Sequence, residues 1–596
     1  MRPIPSILIA CSLWNSIIAG PAVPDAPTPI SGPLTALPKC QIKLTLLPTK
    51  PGDETIGSVD VELMFDSIHS GPGDPLVALA LIADNVDTVA TTLTDLEARD
   101  IKGPLKLISR DVDLPVEAAR DSETGGQTRQ WFGERASEGR VTIHYTVAAM
   151  ATLPPRGPAP PTSFRNDAGA VSAAGNVFLL MPPGSQRYVV TTSWDLSRLQ
   201  AGATGVTSVG RDVARSIVPM TSEQLRESYF MGGAIHLWPS VPNSKGFLGA
   251  WQGPPPFDAT SLMEWTRSLH ERYAEFFQRQ PNEPYRVFLR YNPVNAGGGT
   301  GFFHSFVATY GAGAGADVAA LKIMFAHETF HTFQPFITVP AGKESSWFAE
   351  GLAVLYEGRL PLHYRLITPE AFLLNLNSHA ARYYSSVMAN QPNSEVAAHF
   401  WDDTRIRTLA YDRGMLYFAV VDAAVRKKSG GRRSLDQLIL HMLALEDRGT
   451  VLSNRDWESE LRTQLGERAV AEFQQFLGGQ MPIPPPDAFG PCFTRTTAQV
   501  RRYELGFTPA VLREPQRIIR GLIAGSRAEL AGLQNGDEII NPVPQDEIQG
   551  NQTELLKLDI RRKDQKFSIS YLPRGDEVEV YQWARVRGVP DAACGL

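Results

Sequence analysis

The spacing of apolar positions changes along this chain, and the change divides it. Between about residues 38 and 230, apolar residues alternate with polar ones or gather in short β-branched runs. QIKLTLL (41–47), SVDVELMF (58–65), RVTIHYTV (140–147), NVFLLM (176–181) and RYVVTTSW (187–194) are such runs, separated by Gly, Pro and Asp clusters. A period of two places every second side chain on one face, so these segments are predicted strands of a β-sandwich or saddle. LPPRGPAPPTSFRND (153–167) interrupts them as a proline-rich loop.

After about residue 231 the period lengthens to that of a helix. SLMEWTRSLHERYAEFFQ (261–278) repeats its apolar residues at helical spacing, YRVFLRY (285–291) reads as a strand, and 317–333, 346–358, 407–427 and 433–446 are predicted helices. MPIPPPDAFGP (481–491) is stiff and predicts a linker over 481–494. A small unit, 495–596, follows it. The expected fold class is multidomain α+β, with an N-terminal β-rich domain at 38–230 and a mostly helical domain at 231–480.

Composition narrows the functional classes. The chain has 596 residues, 43% apolar and 20% charged, which suits soluble domains with real cores. A net charge of -6 argues against nucleic acid as the main partner, because a phosphate backbone calls for a basic surface. The start, MRPIPSILIACSLWNSIIAGPAVPDAP, has Arg2, an apolar run from Ile4 to about Ala19, and then small residues and prolines. It predicts a signal peptide over 1–22 and an exported protein, periplasmic or secreted. A second reading takes LIAC (8–11) as a lipobox, with Cys11 carrying a lipid anchor; membrane attachment is expected only in that case. No later run of about 18 apolar residues could span a bilayer. Removing the leader leaves Cys40, Cys492 and Cys594, an odd number. Cys492 and Cys594 bracket the last segment and could close it as a disulfide; all three could equally be free.

The candidate chemistry lies in MFAHETFHTF (324–333). Residues four apart share a helix face, so His327 and His331 present two nitrogens toward one point, with Glu328 close enough to hold a water there. A catalytic zinc takes three protein ligands and keeps one position for water. Pro335 ends the predicted helix, and SSWFAEGLAVLYEG (345–358) starts another, with Ser345 or Ser346 as its cap. Glu350 falls in its first turns, eighteen residues (332–349) beyond His331, and can reach back as the third ligand.

That spacing, with WFAEG around the glutamate, resembles the gluzincin metallopeptidases. The resemblance implies one Zn2+ held by His327, His331 and Glu350, with Glu328 as general base. Tyr411 and Gly414 match a Tyr-x-x-Gly at a helix start that supplies an oxyanion-binding phenol in gluzincin aminopeptidases. GNVFLLMPPG (175–184), the thermolysin-like core with YDRGMLYFAVVDAAVRKKSGGRRSLDQLI (411–439), and the C-terminal unit together are similar to the glycyl aminopeptidase family. The C-terminal unit resembles bacterial PDZ domains: SRAELAGLQNGDEII (526–540) matches their pattern, and Glu504, Leu505, Gly506 and Phe507 would form the loop that holds a peptide C-terminal carboxylate. Packing on the core without a ligand is the plainer reading of that unit.

One departure bears on specificity. Gluzincin aminopeptidases carry a carboxylate in a Gly-rich segment before the metal helix, where it grips the substrate amine. The equivalent here is NAGGGTGFFHSF (295–306), and 291–316 contains no Asp or Glu. Gly298, Gly299 and His304 are its candidate substrate contacts. The expectation is an aminopeptidase-like hydrolase of peptides; the alternatives are an endopeptidase with no need of a free N-terminus, and a catalytically weak peptide-binding protein. YGAGAGA (310–316) mimics a dinucleotide fingerprint, but the helix after it is the metal helix, so a flexible glycine loop over the cleft is expected.

Overall fold

A computed structural model describes residues 37–595 except 69, 72, 114–125, 151–160, 241–245, 281–283, 295, 341 and 544. The leader with Cys11, and most of the proline-rich loop, lie outside the described residues.

Alternation produces sheets, as expected. Ile56, Val59, Val61, Leu63 and Phe65 are buried along one strand (Ile56–Phe65), and Val141, Ile143, Tyr145 and Val147 along its neighbour (Val141–Ala148). They belong to an eight-stranded sheet that also pairs Lys39–Pro48 in parallel with Arg187–Asp195. A four-stranded sheet (Arg165–Asp167, Ala170–Ala174, Tyr229–Gly233, Thr204–Thr207) covers it. Val171, Ala173 and Phe230 of this second sheet share the core of the first, which makes a sandwich. Its other face is buried too, since Ala174, Val206, Tyr229 and Met231 pack with Leu248, Phe288 and Val307 of the next domain. Burial on both faces removes the need for alternation, and the strand Tyr229–Gly233 runs across the expected boundary at 230/231.

NVFLLM is not a strand. Gly175–Phe178 forms one helical turn, and Leu179, Leu180 and Met181 continue it in buried, extended form. An unbroken apolar run has no period, so pattern alone cannot separate the two outcomes. A side chain at Gly175 would place its Cβ 2.3 Å from the Leu225 carbonyl oxygen, so the turn is pressed against backbone.

The second domain opens on a five-stranded sheet in the order 235–238, 247–252, 285–291, 305–310, 299–302. The first of its helices, α1 (Ala259–Phe276), makes the crossover between the parallel strands Phe247–Gln252 and Tyr285–Tyr291. The strand Gly299–Phe302 forms one edge of the sheet. Helices α2 (Val318–His331), α3 (Ser346–His363), α4 (Pro369–Tyr384), α5 (Asn393–His399), α6 (Thr404–Ser429), α7 (Leu435–Asp447), α8 (Asn454–Gln464) and α9 (Glu467–Leu477) follow. The glycines of 310–316 are packed, with a Cβ at Gly311 meeting Asn292 O at 2.3 Å and one at Gly315 meeting Ala296 Cβ at 2.4 Å. The segment is a close-fitting turn, because its glycines admit neighbouring backbone.

The linker segment packs on the helical domain, and a separate small unit follows it. Ala488, Phe489, Cys492, Phe493, Trp583 and Cys594 belong to the helical core. The proline segment is therefore laid on the domain, with Tyr384 donating to Pro482 O at 2.9 Å. A two-stranded ribbon, Phe493–Tyr503 with Arg574–Arg585, leads from that core to a separate small core around Leu505, Phe507, Val511, Ile539, Leu558 and Tyr571. Cys492 and Cys594 are joined as a disulfide at the base of the ribbon, and Cys40 is buried and free. Helix α10 (Gln545–Gly550) turns back onto the second domain, where Gln549 Nε2 donates to Thr408 Oγ1 at 3.3 Å and Thr404 Oγ1 donates to Gln549 Oε1 at 2.9 Å. No described helix is long and apolar enough to cross a membrane.

Candidate metal centre

Helix α2 is started by Asp317, whose Oδ1 accepts the Ala319 N–H at 2.8 Å. From Phe325 to His331 every residue is buried, so its C-terminal half runs inside the domain. Ser345 stands at the N-cap position of α3, but its hydroxyl donates to Pro340 O and a 3₁₀ turn (Gly342–Ser345) leads in. Glu350, in the second turn of α3, is 2% exposed and faces the two histidines.

The ligand atoms converge as one face of a tetrahedron would. His327 Nε2 lies 3.1 Å from His331 Nε2 and 3.2 Å from Glu350 Oε2, and His331 Nε2 lies 3.4 Å from Glu350 Oε2. Zinc bonds of about 2.0–2.1 Å at tetrahedral angles separate ligand atoms by roughly 3.3 Å. The donor set therefore fits Zn2+. Burial disfavours a charged His327, yet hydrogen bonds to Glu350 and Glu357 outweigh it and lift its pKa well above the ordinary value. Burial pushes His331 the other way. A divalent cation would take the place of the proton on His327.

Partners behind the ligands orient them. His327 Nδ1 is 2.7 Å from Glu357 Oε2, which fixes the proton on Nδ1 and turns Nε2 to the centre. Glu357 Oε1 accepts from Asn375 Nδ2 at 2.7 Å and meets His379 Nε2 at 3.2 Å. His379 Nδ1 is 2.7 Å from Asp412 Oδ1, and Asp412 also pairs with Arg382. Burial would raise Glu357, but the hydrogen bonds to His327 and His379 hold it down to about 2. Gln334 Nε2 sits 2.7 Å from His331 Nδ1. With His331 Nε2 on a metal, Nδ1 carries the proton and the Gln334 amide oxygen is the group that must accept it. Sequence reasoning missed Glu357, His379 and Gln334. Glu357 was within reach, since it lies two turns beyond Glu350 on the same helix face. Glu357→Gln is expected to weaken zinc affinity about 10–100-fold with the fold intact. Competition against a chromogenic chelator reads this directly, and unchanged affinity would remove Glu357 from the centre.

Glu328 stands beside the ligands, 2% exposed, and its Oε2 has no hydrogen-bond partner. Burial, and after it the Glu350 and Glu357 charges, raise its pKa to about 8 against the opposing His327 charge. Gly299 on the edge strand leaves it room: a Cβ there would come within 2.7 Å of Glu328 Cγ and 2.8 Å of Oε1. Gly298 O accepts from Thr309 N at 2.9 Å, and both glycines line the cleft with His327, Glu328 and Tyr411.

Tyr411 is two turns inside α6, not at its start, with its ring 6.0 Å from that of His327 and nearly parallel to it. Two glycines put it there. A Cβ at Gly414 would lie 2.5 Å from Trp347 O and 2.8 Å from Gly351 Cα, and one at Gly351 would lie 2.5 Å from Gly414 Cα. Helices α3 and α6 therefore touch backbone to backbone, one residue after Glu350 and one turn after Tyr411. Gly414→Ala is expected to cost about 1–3 kcal/mol by overpacking and to draw the phenol away from the centre. A lower Tm together with a fall in kcat of at least about 10-fold should result; wild-type values for both would refute the role of the contact.

Two sets of candidate residues lie elsewhere. His304 occupies the turn between Gly299–Phe302 and Ser305–Tyr310 at φ 48°, outside the residues lining the cleft, and burial pushes its pKa down to about 4. Residues 504–507 lie in the small C-terminal core, with Leu505 and Phe507 buried, Gly506 at φ 88°, and Tyr571 donating to Leu505 O at 2.6 Å. Helix α10 beside them is engaged by α4 and α6.

No protein-family model and no curated protein sequence matches this chain. Solved structures do. An aminopeptidase N family protein from Idiomarina loihiensis is 14% identical with a TM-score of 0.63, covering 93% of this chain and 99% of its own. That share runs beyond the N-terminal and helical domains into the C-terminal unit, and it shows the fold: mixed α+β, multidomain, of the aminopeptidase N type. Two other likenesses are weaker, with TM-scores below 0.5. An M1 zinc metallopeptidase from Deinococcus radiodurans is 16% identical at 0.46, covering 75% of this chain and 96% of its own. Leukotriene A4 hydrolase from Saccharomyces cerevisiae is 13% identical at 0.44, covering 75% and 68%.

Proposed function

We propose that this protein is an exported, zinc-dependent, aminopeptidase-like hydrolase of peptide bonds. The observation that carries the reading is the spacing of His327 Nε2, His331 Nε2 and Glu350 Oε2, 3.1 to 3.4 Å apart, with the Glu328 carboxylate beside them. His327, His331 and Glu350 would hold the ion, which when bound supplies a Lewis acid that acidifies water and polarises a carbonyl. Glu328 takes the proton of the attacking water and returns it to the leaving nitrogen. Tyr411 donates its phenolic hydrogen to the oxyanion that develops on the carbonyl. Gly299 opens an edge strand, with Gly298 just before it, along which an extended peptide can lie. Export is supported by the leader pattern, and the disulfide is compatible with it.

A second reading, cleavage without a free N-terminus, is favoured by the cleft's charges. Its described carboxylates are Asp317, Glu328 and Glu357. Glu328 and Glu357 serve the centre, and Asp317 lies ten residues before His327, about 15 Å along the helix. A peptide panel with free and N-acetylated termini tests both readings, with bound zinc measured alongside. Hydrolysis of free peptides alone supports the aminopeptidase, hydrolysis of both supports the endopeptidase, and a zinc-loaded protein that cleaves neither overturns the enzyme. Tyr411→Phe is expected to lower kcat about 10²–10³-fold with KM little changed; a pure KM effect would move the phenol to ground-state binding. A peptide C-terminus at residues 504–507 is a further part of the proposal, supported by the turn at Gly506 and opposed by the docking of α10.

A further inference from the structure

The junction between the N-terminal sandwich and the catalytic sheet contains two arginines that the metal centre does not use. Arg165 and Arg290 are 6% and 3% exposed. Arg165 stands opposite Ser172 in an antiparallel pair, so their side chains share a face. Ser172 Oγ lies 3.4 Å from Arg290 Nη1 and donates to Gln252 Oε1 at 2.8 Å. Arg290 comes from the catalytic strand Tyr285–Tyr291 and is largely satisfied. It donates to Ser163 O at 2.9 Å, to Tyr229 Oη at 3.3 Å and to Ser163 Oγ at 3.0 Å.

Donors remain in excess. Arg165 Nε and Nη1, Arg290 Nε and Gln252 Nε2 are all buried without a hydrogen-bond partner. Asp167, two residues along the strand from Arg165, does not supply the missing acceptor, because its Oδ2 is also buried and unpartnered. Burial, and then the neighbouring Arg290 charge, push the Arg165 pKa down to about 10, so its guanidinium stays cationic at neutral pH. Two cations against one carboxylate leave a single positive charge, and an unmet donor on a buried charged group is strongly destabilising.

We propose that this junction binds one small monovalent anion, a halide or a formate-sized carboxylate, held by Arg165, Arg290 and Gln252. Pro161 and Asn292, each two residues from a member of the cluster, line the catalytic cleft. The anion thus braces the wall of the cleft that the N-terminal domain provides. This site stands independently of the peptidase reading.

The test compares the metal-loaded protein in gluconate with the same protein titrated with chloride, and separately with formate, at constant ionic strength. A saturable rise in Tm of about 2–4 °C is expected with one or both small anions. A response to chloride alone identifies a halide site, and a response to both identifies a site for small anions generally. Arg165→Met should lose the response. Crystals grown with bromide should show an anomalous peak beside Arg165 Nη1 and Arg290 Nε, and this decides the matter if the variant does not fold. Equal Tm in all three salts, an undiminished response in Arg165→Met, or an ordered water alone in the cluster would overturn the proposal.

Discussion

The Glu328→Gln protein is expected to keep its zinc and lose turnover by about 10²–10⁴-fold. Glutamine has nearly the same shape, so the fit against Gly299 survives, where a Cβ would come within 2.7 Å of the Glu328 side chain. Only the capacity to take and return a proton is removed. Glu328 suits that role because its Oε2 is buried with no partner to compete for it. Burial and the Glu350 and Glu357 charges raise its pKa in the metal-free site, and the charge of a bound cation would act against that rise, leaving a carboxylate able to take the proton. Metal content and kcat/KM measured on one preparation check the claim. Near-normal turnover in a zinc-replete variant would assign proton transfer to another group.

Glu350→Ala is expected to lose the metal. It removes the only charged ligand of the three and leaves two imidazole nitrogens 3.1 Å apart. Loss of an orienting partner alone costs about 10–100-fold in affinity. Loss of the ligand itself should exceed the upper end of that range and abolish activity at ordinary zinc concentrations. Chelator competition reads the affinity, and the zinc-dependent rise in Tm expected for the wild type should be absent from the variant. A variant that retained stoichiometric zinc would break the three-ligand centre and the function built on it.

Much of this site was legible before any fold was known. A helical period fixes which face a residue occupies, so the four-residue step from His327 to His331 already implied convergence. Glu350 was recognisable because WFAEG opened a second predicted helix at a known distance. Glu357 sat two turns further along that helix, but one buried glutamate among many has no mark of its own. His379, Asp412 and Arg382 come from α4 and α6, and nothing in the chain order ties them to His327. The docking of the linker was not legible for a similar reason. Proline content reports stiffness, and only packing decides whether a stiff segment is free or laid on a core.

By itself the sequence determined the period of its elements, the division into β-rich and helical parts, and the histidine pair that the candidate metal helix presents. Those are local properties, set by the spacing of side chains along one backbone. Tertiary structure alone decided that NVFLLM turns, that the second sheet is buried on both faces, and that Gly351 and Gly414 meet to bring Tyr411 over His327. It also placed Arg165 opposite Ser172 and beside Arg290. Each of these depends on atoms far apart in the chain excluding water together, and no local pattern encodes which surfaces will meet.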